Sequence, residues 1–97
     1  MYVILTSKPG QFRTELAAGM QAIEAYDYLF CGRKRAHFVI AELGRDVRIR
    51  IVEEDGRPVV NEVPSKFLPR FATLEAARTE LRQLAGNGAL DAALVKL

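Results

Sequence analysis

Between Ala25 and Glu53 the chain places apolar side chains at every second position in three runs, with a glycine-containing turn between each run and the next. A period of two belongs to a strand with one face turned inward and fits no helix. Tyr26, Tyr28 and Phe30 alternate with Asp27, Leu29 and Cys31, and Gly32-Arg33-Lys34-Arg35 reads as a turn. Residues 36–43 read as a second strand and Gly44-Arg45-Asp46 as the next turn. Val47, Ile49 and Ile51 alternate with Arg48 and Arg50 in the third run. Consecutive strands joined by such short turns make an antiparallel meander.

The flanks add to this frame. Residues 2–6 are β-branched and aromatic-rich, and Lys8-Pro9-Gly10 stops them, so they read as a first strand. Residues 11–23 have no clear period and read as a loop with helical turns, which Gly19 weakens. Asp55-Gly56 is a hairpin signal. The return strand over 58–63 is expected at an edge, because Pro58 cannot donate to a ladder. Leu74, Ala77, Leu81 and Leu84 share one helical face, with Thr73 as N-cap and Glu75 in the first turn. That predicts an amphipathic helix over 73–85, stopped by Gly86-Asn87-Gly88. In residues 90–97, the spacing of Leu90, Ala93, Leu94 and Leu97 favours a short second helix over a terminal strand. The expected fold class is α+β: an antiparallel β-meander of about four to five strands, packed on one face by a C-terminal amphipathic helix. The 97 residues fit one domain, 1–97, and suffice for a core without staples.

Turn lengths set an expected register. A four-residue turn at 32–35 puts Phe30 opposite His37 and Tyr28 opposite Val39. A three-residue turn at 44–46 puts Leu43 opposite Val47 and Ala41 opposite Ile49. Tyr26, Tyr28, Phe30, His37, Val39, Ala41, Leu43, Val47, Ile49 and Ile51 then share the core face. Leu29, Phe38, Ile40 and Val52 cluster on the reverse, where a solvated sheet would be more polar. These four form the expected interaction surface.

Composition bears on function by exclusion. A net charge of +2 is too small to imply a polyanion partner by itself. An alternative nucleic-acid surface consists of Arg33, Lys34, Arg35, Arg48 and Arg50, with Phe30 and Phe38 for stacking. Glu42, Asp46, Glu53, Glu54 and Asp55 dilute it. His37 and Cys31 are the sole histidine and cysteine, and the register turns them to opposite faces, which argues against a Cys–His pair. One of each cannot fill a zinc site, so no metal and no cofactor are expected. Asp27, Glu42 and Glu62 are isolated carboxylates without acid–base spacing, and residues 6–14 lack the spacing of a phosphate-binding loop. A single thiol suits a reducing compartment. No apolar run approaches membrane-spanning length, and the short apolar start lacks a basic n-region, so the expectation is a cytoplasmic protein without membrane contact. The functional expectation is a small non-catalytic accessory or protein-interaction domain, self-associating as a homodimer or docking on a protein partner. Nucleic-acid binding is the alternative. A third reading is a small-molecule site beneath the helix, bounded by Tyr26, Tyr28 and Phe30.

Overall fold

The structure, a computed structural model, describes residues 1–57, 59–86 and 91–97. Among these residues the fold is α+β, with antiparallel sheets and one α-helix. The strands are β1 (Tyr2–Ser7), β2 (Phe12–Thr14), β3 (Met20–Phe30), β4 (Arg33–Leu43), β5 (Arg48–Glu53), β6 (Val59–Pro64) and β7 (Ala92–Lys96). A 3₁₀ turn, Ser65–Phe67, and the helix α1, Leu74–Leu84, lie between β6 and β7. Instead of one meander there are two sheets, ordered β1-β4-β3-β7 and β2-β5-β6.

The expected pairing of the second and third runs does not occur. The edge of β4 that β5 would take is filled by β1, through six residue pairs from Tyr2–Glu42 to Ser7–His37. β5 instead pairs with β2 and β6 and lies across the first sheet. Ile49 still joins Val3, Leu5, Ala41 and Leu43 in one core, with Val39 and Val47 packed against it. The alternation had grouped Val39, Ala41, Leu43, Val47 and Ile49 on one side, and they do meet. They meet between two sheets rather than along one, because periodicity reports a shared face and not the neighbouring strand.

The β3–β4 register also differs. The turn is Cys31-Gly32 alone, both residues with positive φ (52° and 74°), as a type I′ hairpin turn requires. Arg33, Lys34 and Arg35 therefore belong to β4. Two register shifts follow, between Tyr28 and Leu29 and between Ala22 and Glu24; in these, Arg35 and Ile23 are the extra residues. Tyr28 faces Ala36, Tyr26 faces Phe38, and Asp27 faces His37. The odd offset moves both tyrosines to the other side of the sheet.

That side is the one α1 covers. Ala77 and Leu81 pack on Ala36, Phe38 and Ile40, with Tyr26, Tyr28 and Leu94 at the margin. The Tyr28 and Phe38 rings sit 6.5 Å apart, tilted by 57°, close to an aromatic pair's preferred arrangement. Thr73 caps the helix, its side chain accepting from the Ala76 N–H at 3.1 Å. Leu84, expected on the buried stripe, is exposed, and Ala85 is buried instead.

Residues 92–96 form a strand, not a helix. An isolated segment this short gains little from helical hydrogen bonds, whereas the free edge of β3 offers a ladder to its unpaired backbone groups. β7 takes that edge from Tyr26–Lys96 to Phe30–Ala92. The segment 11–23 carries β2 and the start of β3 where helical turns were expected. β6 is an edge strand; Pro58 and residues 87–90, including Leu90 and the expected Gly88 stop, lie outside the described residues.

An ionic cluster centred on the buried Glu24 ties α1 and β7 to the sheet. Glu24, whose side chain is 5% exposed, accepts from Tyr26 Oη at 2.7 Å and Arg78 Nε at 2.6 Å. It also pairs with Lys96 Nζ at 2.9 Å. The Arg78, Lys96 and Tyr26 hydrogen bonds, in that order, lower the Glu24 pKa from 4.5 to about 2. Burial, followed by the Glu24 carboxylate beside it, pushes the Tyr26 phenol up.

Candidate functional site

Phe38 and Ile40 are buried beneath α1, Val52 is buried in the second sheet, and Leu29 is half-buried on β3. They do not form one surface, because the register that joined them placed β5 beside β4. Of the four, Leu29 alone lies on the side of the first sheet turned away from α1.

The arginines are divided as well. Arg33, Lys34 and Arg35 lie on β4 in the first sheet, and Arg48 and Arg50 on β5 in the second. Acids are interleaved with both sets: Lys34 Nζ is 3.2 Å from Asp27, Arg50 lies 3.8 Å from Glu15, and Arg50 faces Glu62 across the ladder.

The side away from α1 has two halves. Over β1 and β4 it is covered by β5. Over β3 and β7 no other element of the described residues covers it: Leu29 is half-buried, Val95 is 43% exposed and Leu97 66%. The Leu97 N–H donates to the Ala25 carbonyl at 2.8 Å, which extends the ladder to the last residue.

Between the halves runs a cleft of about 420 Å³. Leu5, Phe12, Leu16 and Val39 give it apolar walls; Ser7, Thr14 and His37, with the charged Arg13, Lys34 and Glu54, give it polar ones. Directly paired residues of adjacent strands share a face, and the ladders align Ser7 with His37, His37 with Asp27, and Asp27 with Val95. His37 Nδ1 lies 2.9 Å from Asp27 Oδ1. That hydrogen bond, and then Lys34, holds the Asp27 carboxyl below the usual carboxylate range. An ionised Asp27 can only accept, so Nδ1 carries the proton they share, and whenever the ring is uncharged Nε2 is left as an acceptor. Ser7 Oγ accepts from the Thr14 N–H at 2.9 Å, and its own proton remains available to donate.

The Ser7–His37–Asp27 row had no signal in the sequence. Its members come from three strands, and only the ladder makes them neighbours. Cys31 is exposed at the hairpin tip, while His37 sits mid-sheet against Asp27. Among the described residues, no group of three or more His, Cys, Asp or Glu side chains is placed to hold a metal, and no helix is long and apolar enough to cross a membrane.

Together these features define a small domain of three layers, helix on sheet on sheet, with one open half-face and a cleft beside it. Comparison with protein-family models, curated proteins and solved structures finds no match in any of the three.

Proposed function

We propose that this chain is a small non-catalytic accessory domain that self-associates through the open half of its four-stranded sheet, with β7 as the seam. The observation that carries this reading is an edge strand without protection. β7 reads Ala92-Ala93-Leu94-Val95-Lys96 and, among the described residues, pairs on one side only, with β3. Natural edges are blunted by proline, bulges or outward lysines. Lys96, the single charge in the strand, is bound to Glu24 on the helix side. Ala93 and Val95 remain exposed on the other side.

A two-fold axis normal to the sheet pairs β7 with its copy in antiparallel fashion, and such isologous contacts are the commonest route to a dimer. Both helices then lie on one side of a continuous eight-stranded sheet, and the Val95 and Leu97 side chains of both chains adjoin on the other. The opposite edge supports β7 over β1 as the seam: Tyr2 already exchanges two backbone hydrogen bonds with Phe71, both 2.8 Å.

Sedimentation velocity across a concentration series tests the reading. The intact chain is expected to sediment as a dimer at high micromolar concentration, and Val95→Lys as a monomer with unchanged circular dichroism. A monomeric intact chain at every concentration would remove the proposal.

A further inference from the structure

We infer that the cleft between the two sheets binds a small uncharged molecule that carries one hydroxyl on an apolar body, with that hydroxyl seated between Ser7 and His37. The first ground is charge. Of the lining cations, Lys34 is matched by Asp27 at 3.2 Å. Arg13 is matched by Glu15 and Glu54, each at 3.2 Å. No lining cation is left to select an anion.

The second ground is hydrogen-bond capacity. Thr14 is committed through its N–H to Ser7 Oγ and through its hydroxyl to the Thr6 carbonyl. His37 is committed at Nδ1. Two complementary functions face each other across the β1–β4 ladder: the acceptor Nε2 of His37 and the hydroxyl proton of Ser7. A hydroxyl group satisfies both at once, donating to Nε2 and accepting from Ser7. A carboxylate or ether satisfies Ser7 alone, and an ammonium satisfies His37 alone.

The third ground is shape. About 420 Å³ lies near the lower end of small-ligand sites, which pair apolar walls with a few orienting polar groups. Leu5, Phe12, Leu16 and Val39 supply those walls. A phenol-sized ring therefore fits the chemistry and the space.

Phenol and anisole are the probes, since methylation removes the donor and keeps the ring. Binding is read by two-dimensional NMR of the ¹⁵N-labelled chain, including the long-range spectrum of the His37 ring nitrogens. Phenol is expected to shift the Nε2 resonance saturably in the millimolar range and to bind at least about tenfold tighter than anisole, a difference of about 1.4 kcal/mol. Asp27→Ala removes the acceptor that fixes the proton on Nδ1, frees the ring to carry it on Nε2 instead, and should abolish the preference for phenol. His37→Phe should do the same, with retained anisole shifts showing that the cleft is intact. Equal binding of the two probes would overturn the hydroxyl assignment. No saturable shift with either would overturn the site.

Discussion

Glu24→Gln tests the internal clamp quantitatively. The carboxylate receives three hydrogen bonds, two from cations, and its pKa falls from 4.5 to about 2. At about 1.4 kcal/mol per tenfold change in proton affinity, that fall corresponds to roughly 3 kcal/mol of preference for the charged form. The whole of it is not recovered in a stability measurement. The side chains of Arg78 and Lys96 are 32% and 61% exposed, so both rehydrate when the carboxylate is removed, unlike cations stranded in a dry core. About 2 kcal/mol is the expected loss at pH 7, within the range for hydrogen bonds to charged groups.

The sign with pH follows from linkage. A depressed carboxyl pKa stabilises the fold fully above the unfolded value near 4.5, and that contribution disappears as pH falls toward 2. Urea unfolding of both chains at pH 7, 5, 4 and 3 should show a gap of about 2 kcal/mol at neutrality that narrows steadily below pH 5. A gap below about 0.5 kcal/mol at pH 7, the scatter of ordinary surface changes, would refute the clamp. So would a gap that stays constant into acid.

Two further substitutions probe the frame. Leu81, 1% exposed against Phe38 and Ile40, should cost about 3 kcal/mol as Leu81→Ala, the middle of the core-truncation range, read from the urea midpoint. Cys31 holds a φ of 52° ahead of Gly32, a conformation asparagine tolerates better. Cys31→Asn should therefore stabilise the chain by about 0.5 kcal/mol and raise the thermal midpoint by roughly 2–4 °C.

The legible parts of this fold were those set by local chemistry. Thr73 as cap and the Leu74–Ala77–Leu81 stripe specify α1 within a few residues. The runs through Tyr26–Phe30 and Val47–Glu53 specify strands. What was not legible depends on competition between distant segments. Residues 2–6 and 48–53 were both suited to the free edge of β4, and nothing within either run decides which one takes it. Cys31 is an unusual first residue for a two-residue hairpin turn, and the charges of Arg33-Lys34-Arg35 resemble loop chemistry. The shorter turn alone would keep the facing of Tyr26 and Tyr28; the bulge at Arg35 reverses it. The Ser7–His37–Asp27 row was hidden for the same reason: it exists only after β1 and β3 have both paired with β4.

β4 itself has a consequence for how the molecule comes apart. Its even-numbered residues Ala36, Phe38 and Ile40 belong to the core under α1, and its odd-numbered neighbours Ala41 and Leu43 to the core under β5. Peeling away either outer layer wets one side of a strand whose backbone is held by both flanking ladders. Loss of that strand dismantles the other layer too. The two cores are thus coupled through a shared spine, and melting should be all-or-none, with the amides of β4 the last in the chain to exchange with solvent.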